Sequence, residues 1–164
     1  MSKNNLVVTR AERAFTMSRI FDAPRELVWQ VCTDPELVPQ WWGPRNVTTI
    51  VDKMDLKVGG VWRYIQNDDE GNEYAFNGIY RAIEPPERLT YTFEFEPMAG
   101  HISTDTIIFE ALPDGRTKII TRTTFDTLED LEGMLQSGME SGAIETWDRL
   151  EELLATTQKE MGLA

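Results

Sequence analysis

The sequence predicts an α+β fold in which a curved antiparallel β-sheet of about seven strands wraps around a long C-terminal α-helix, with two short helices after the first strand. Three observations predict it. The segment RLTYTFEFE sets Leu89, Tyr91, Phe93 and Phe95 on one face and Thr90, Thr92, Glu94 and Glu96 on the other, the period of a half-buried strand. The strand-like segments follow one another through short turns, which gives an antiparallel meander, because parallel strands need crossover connections between them. Near the C-terminus the spacing becomes helical, and Met139, Ala143, Trp147, Leu150 and Leu154 form a stripe that only the inner face of the sheet can cover.

The elements follow in order. AFTMSRIF, from Ala14 to Phe21, is a first strand with Phe15, Met17, Arg19 and Phe21 on one face, Arg19 being its polar exception. Pro24 starts a helix in which Leu27, Val28, Val31 and Cys32 recur at helical spacing. Thr33 and Glu36 read as the capping box of a second short helix with Pro35 in its first turn, stopped by Pro39 and Gly43-Pro44. VTTIVDKMDL and VWRYIQ are strands flanking Gly59-Gly60, NDDEGN is a hairpin turn, and EYAFNGIYRAI is extended until Pro85-Pro86. DTIIFEAL and TKIITRTTF are joined by the tight turn Pro113-Asp114-Gly115; Ile119, Thr121, Thr123 and Phe125 share the inward face of the last strand. Thr127 with Asp130 starts one helical piece and Ser137 with Glu140 another. Residues 1–13 are expected to be flexible, 14–158 to form one domain and 159–164 to fray.

Composition narrows the function. A chain of 164 residues suffices for one core, and seven Phe, five Trp and four Tyr supply large buried areas. With 16 Lys and Arg against 28 Asp and Glu, the formal charge of −12 repels phosphate backbones and anionic headgroups, so neither nucleic acid nor membrane insertion is expected. One cysteine, Cys32, excludes an internal disulfide and fits a reducing compartment, and no apolar run approaches a membrane-spanning length; the cytoplasm is the expected location. His101 and Cys32 stand far apart without a ligand motif, so no metal is expected. A nucleophile elbow, a Walker loop and a dinucleotide-binding glycine pattern are all missing, and no cofactor or catalytic residue is assigned. Asp68, Asp69 and Glu70 lack the alternation of a calcium loop and read as a solvated turn.

A curved sheet closed over one helix leaves a space where the helix does not reach, and aromatic and Met side chains line such spaces well. The candidate ligand-binding residues are Trp41, Trp42, Trp62, Arg63, Tyr64, Phe76, Tyr91, Phe93, Phe95, Met134 and Met139. If it points inward, Arg63 holds a ligand carboxylate bidentately; if outward, it pairs with surface acids. Gly133, Gly138 and Gly142 each cost a helix roughly 1 kcal/mol relative to Ala, which calls for close packing, a helix break or a movable flap.

The strings FDAPRELVWQVCTDPELVPQWWGP at Phe21 to Pro44, Val58-Gly59-Gly60 with Arg63, GIYRAIEPPERLTYTF at Gly78 to Phe93, PDGRTKIITRTTF and GMESGAIETWDRLEELL resemble the Hsp90-ATPase-activator-like branch of the START/Bet v 1 superfamily. The resemblance spans most of the chain in the same order and implies a helix-grip fold. It also implies one of several functions: binding of a small hydrophobic or amphipathic molecule in an internal cavity, regulation of an Hsp90-type chaperone ATPase by protein contact, or cyclase or hydrolase chemistry on a hydrophobic substrate. An inward acid with a raised pKa would favour the last. Two features depart from the family pattern: the eukaryotic activators have two domains where this chain has one, and Gly142 is followed by Ala143 where an aromatic is common. The outer face around Thr90, Thr92 and Ile120 has only modest apolar character, which leaves a homodimer open without requiring one.

Overall fold

The computed structural model describes residues 6–162. Its strands are β1 (Val7–Ala11), β2 (Ala14–Phe21), β3 (Val47–Met54), β4 (Val61–Asp68), β5 (Glu73–Glu84), β6 (Arg88–Phe95), β7 (Ile102–Ala111) and β8 (Thr117–Phe125). Its helices are α1 (Arg25–Thr33), α2 (Leu128–Gln136) and α3 (Met139–Glu160). The strands form one antiparallel sheet of eight in the order β1-β2-β8-β7-β6-β5-β4-β3, so only β2 pairs out of sequence, reaching across to β8. The sheet curves around α3 in a helix-grip fold.

Four expectations need correction. Val7–Ala11, expected in the flexible segment 1–13, pairs with β2 from Val7↔Ser18 to Ala11↔Ala14 and adds an eighth strand. The strand is almost wholly exposed and is held by its main-chain ladder, which leaves little hydrophobic pattern to read. The second short helix reduces to one 3₁₀ turn, Val38–Gln40: Thr33 ends α1 with its hydroxyl donating to the Trp29 carbonyl, and it is Asp34 whose carboxylate accepts from the Glu36 amide. Likewise Ser137 closes α2 rather than opening α3, its hydroxyl donating to the Met134 carbonyl. The helix then extends to Glu160, so residues 159 and 160 continue it. Thr127 does cap α2, its side chain accepting from the Asp130 amide at 3.1 Å.

Close packing does not account for the three glycines near α3. Apart from the adjoining residues and the local helix backbone, no heavy atom lies within 4 Å of where a Cβ would sit on Gly133, Gly138 or Gly142. Gly138 is the helix break: with φ of 84° it takes the left-handed conformation that ends α2 and lets α3 start in a new direction.

The core lies between the concave face and the helices. Phe21, Val28, Val31, Val38, Phe109, Leu150 and Leu154 are fully buried, with Trp29 edge-on to Phe109 at 5.2 Å and Phe21 edge-on to Trp147 at 5.7 Å. A satellite cluster joins Phe15, Phe125 and Leu131 with Met134, Leu135 and Met139.

The C-terminal part of α3 is fixed by charge as well as by packing. Arg19, the polar exception of β2, points inward and pairs with Asp148 and Glu151 on α3, each at 2.8 Å, with its side chain only 3% exposed. Arg149 donates to the carbonyls of Gln40, Gly43 and Pro44, which ties the helix to the loop before β3. In contrast, no residue of α3 before Trp147 is buried. Because removing one member of a buried ion pair leaves the others uncompensated, Arg19→Ala is expected to lower stability by about 3 kcal/mol. Arg19→Met, which keeps the apolar stem, should lose roughly half of that on urea denaturation; equal losses would show that the charge alone matters.

Candidate functional site

Alternation along the strands decides what faces α3. On β4, Trp62 and Tyr64 are buried on the concave side, which sends Arg63 to the convex side. There its guanidinium donates two hydrogen bonds to Glu96, at 2.8 and 2.9 Å, and one to Asp52 at 3.2 Å; Asn77 completes the group by donating to Glu96. These donors hold the Glu96 carboxyl down at about 2. Arg63 is therefore a surface ion-pair residue, contrary to its inclusion among the ligand-binding candidates.

Between the concave face, α1 and the middle of α3 lies a cavity of about 70 Å³. Of the aromatic candidates, Trp41, Trp42, Trp62, Tyr64, Tyr91 and Phe93 line it. Phe76 and Phe95 pack against each other at a tilt of 30° and 5.0 Å beyond the Trp42 ring and support the wall without lining it. Met134 and Met139 belong to the satellite cluster instead. The lining also takes in Cys32, Met54, Tyr80, Leu89, Ile107, Ile119, Thr121, Trp147 and Leu150, which lie outside the candidate set.

The rings are positioned by main-chain groups. The indole N–H of Trp41 donates to the Val31 carbonyl at 3.0 Å, and that of Trp62 to the Thr92 carbonyl at 3.1 Å. Trp62 lies across Gly78, where a Cβ would come within 2.4 Å of the indole nitrogen and 1.7 Å of the Thr92 carbonyl oxygen. Trp42 stands edge-on to Tyr64 at 5.0 Å and Trp62 edge-on to Tyr91 at 5.6 Å, geometries that favour aromatic pairs.

Polar groups punctuate this wall. The Tyr64 hydroxyl lies 3.8 Å from the Met54 sulfur and against the Tyr80 phenol. Desolvation raises Tyr64 and Tyr91 well above the usual phenol range and Tyr80 and Cys32 to about 12, so all four stay neutral at physiological pH. The Thr121 hydroxyl is buried and finds no hydrogen-bond partner among the described residues.

Among the described residues, Asp105 is the carboxylate that the sheet turns inward next to this wall, just outside the cavity lining. It sits directly between Tyr91 on β6 and Thr123 on β8, and its Oδ1 accepts from the Thr123 hydroxyl at 2.5 Å. Loss of hydration raises it from 3.8 to about 6, against the lowering effect of that hydrogen bond. The residue keeps partial exposure, while protein atoms surround its carboxyl.

Residues 22–155 match the family described as Activator of Hsp90 ATPase homolog 1-like protein. The chain belongs to that family. Among solved structures, protein Ms6760 from Mycobacterium smegmatis is 25% identical, with a TM-score of 0.81 over 92% of this chain and 97% of that one. A protein from Rhodobacter sphaeroides, 22% identical, has a TM-score of 0.86 over 93% of this chain and 99% of its own. An AHSA1 protein from Silicibacter pomeroyi, 23% identical, gives 0.72 over 88% and 99%. The last two speak for the fold alone. No curated protein matches the chain.

For this member of the Hsp90-activator-like family, strand parity could have found two of the missed residues. Asp105 shares parity with Ile107 and Phe109, so the apolar end of β7 already assigns it to the inner face. Tyr80 shares parity with Gly78 along β5. Among the described residues no group of three His, Cys, Asp or Glu could hold a metal ion, and no helix is long and apolar enough to cross a membrane.

Proposed function

We propose that the protein binds a small amphipathic molecule, without covalent chemistry, in the cavity between the concave face and α3. The observation that carries this reading is a wall of aromatic rings holding a buried hydroxyl, on Thr121, that no described protein group satisfies. A buried polar group without a partner is costly, and a ligand acceptor placed there would relieve it. Apolar walls with a few convergent polar groups are the usual make-up of ligand sites.

At about 70 Å³ the cavity admits only a fragment, whereas sites for drug-sized ligands run to roughly 300–1,000 Å³. Growth would come from the start of α3, which buries no residue before Trp147 and follows the break at Gly138, while Arg19 and Arg149 hold the rest of the helix.

Regulation of a chaperone ATPase by protein contact is less well supported. The exposed apolar residues of the convex face do not form one block: Ile50 on β3 and Val61 on β4 are on neighbouring strands, but Ile108 is on β7, with three strands between β3 and β7. Catalysis would call on Asp105, but hydrolytic sites pair such an acid with a second carboxylate or an activated nucleophile. Its register neighbours are a neutral phenol and a threonine.

Native mass spectrometry of freshly purified protein, followed by titration of tryptophan fluorescence with alcohols, amines and acids of increasing size, tests the proposal. A retained small molecule or a saturable shift is expected, and Thr121→Val should weaken binding of a hydrogen-bonding ligand about tenfold. A bare chain with no response to any probe would overturn it.

A further inference from the structure

A purely apolar ligand would leave Asp105 without a role, and the surroundings of this carboxylate on the concave face are specific. Register places Tyr91 and Thr123 on either side of it, Ser103 and Ile107 before and after it on the same face of β7, and Leu89, Phe93, Thr121 and Phe125 at the diagonals. Tyr91, Ile107, Leu89, Phe93 and Thr121 line the cavity, whereas Asp105, Ser103, Thr123 and Phe125 do not, so the carboxyl borders the lined space from the next position of the concave face.

Nothing described in the protein neutralises it. The inward Arg19 is taken by Asp148 and Glu151, Arg149 by three carbonyls, and Arg63 is on the far side of the sheet. The only polar partner of the Asp105 side chain among the described residues is the Thr123 hydroxyl. Other titratable groups near this patch are the phenols of Tyr91, Tyr64 and Tyr80 and the Cys32 thiol, none of which carries a positive charge.

Resting on the reading of this cavity as a ligand site, we infer that its ligand carries a cationic amine and that Asp105 is the counter-ion. An ammonium group placed there meets a carboxylate in an environment where charge is poorly screened, a combination much stronger than a neutral hydrogen bond. The Trp62 ring, whose centroid lies 5.6 Å from that of Tyr91 and 5.9 Å from that of Phe93, forms with them an aromatic surface for the same cation. The formal charge of −12 draws cations toward the protein and turns carboxylate ligands away. The apolar remainder of the molecule would occupy the space bounded by Trp42, Met54 and Leu150.

Three probes of nearly equal size separate the alternatives: 2-phenylethylamine, 2-phenylethanol and phenylacetate, titrated at pH 8 in physiological salt against the full chain and against Asp105→Asn, with binding read from backbone amide shifts. The amine is expected to bind about tenfold or more tighter than the alcohol and phenylacetate not to bind; in Asp105→Asn the amine and the alcohol should become equal. Equal affinity of amine and alcohol in the natural protein overturns the inference while leaving the cavity reading intact. So does an amine preference that persists in Asp105→Asn, which would place the responsible charge elsewhere. Failure of all three probes overturns both.

Discussion

Asp105→Asn is expected to raise stability at neutral pH by roughly 2–3 kcal/mol, because the carboxyl is held near 6 in the folded protein against 3.8 as its ordinary value, and a tenfold difference in proton affinity corresponds to about 1.4 kcal/mol. The sign follows from proton binding. The folded chain holds this proton more tightly than the unfolded chain, so the contribution of Asp105 is fully present below about pH 4 and is lost as pH rises through about 6. Asn keeps the shape and can still accept from Thr123, but it carries no charge to desolvate. Urea denaturation followed by tryptophan fluorescence at about pH 4.5, 6 and 7.5 should show the variant and the natural protein close together at the lowest pH and separating as pH rises. A gap that does not vary with pH would mean that the carboxyl is hydrated in the folded state. Glu96 acts in the opposite sense: its carboxyl is lowered by Arg63 and Asn77, so its contribution is present above the usual carboxylate range and lost only as pH falls toward about 2. It is common to both proteins and cancels in their difference.

The second large effect is expected at Gly78. Adding a single methyl group there, in Gly78→Ala, puts a carbon 1.7 Å from the Thr92 carbonyl oxygen, which is backbone and cannot rotate away, and 2.4 Å from the Trp62 indole nitrogen. Either β5 separates from β6 or the indole leaves its place, and both break the hydrogen bond from Trp62 to Thr92. Overpacking and the loss of a buried hydrogen bond together should cost roughly 3–5 kcal/mol. The midpoint of thermal unfolding should fall sharply, and near-ultraviolet circular dichroism should lose the signal of the ordered tryptophan. A variant as stable as the natural chain would show that the sheet can relax at this point, and that Trp62 is not fixed by contact with the backbone of β5.

These two positions also show how far the sequence can be read. The order of elements, the meander and the long helix follow from period and punctuation, and Trp62, Tyr64, Tyr91 and Phe93 come from alternation that a half-buried strand enforces. Arg63 stays undecided only while polarity is judged residue by residue; its outward placement follows from the aromatic neighbours on either side, whose rings cannot both face water. Phe76 and Phe95 lie further along their strands than the cavity reaches, a distance that parity does not encode. Asp105 is legible only from the far, apolar end of its strand. β7 begins at Ile102 with a mixed run, ISTD, in which the inner positions are Ser103 and Asp105, so polarity there runs against the pattern of the rest of the strand. Such a conflict between local pattern and global placement is where functional groups are expected. The edge strand β1 escapes sequence reading for want of any buried face at all.

The pairing of β2 with β8 has a consequence for how the protein is made. As the chain leaves the ribosome, β2 emerges before β3 to β8, and its apolar face of Phe15, Met17 and Phe21 must wait for a partner that is synthesised only after every other strand. The β3 to β8 meander can assemble by successive hairpins, but closure over α3 joins elements far apart in sequence, the kind of long-range contact that slows folding. During that interval one edge of β2 is unpaired, and the inward Arg19, whose acids on α3 appear after all the strands, keeps a charge beside that edge until the helix arrives.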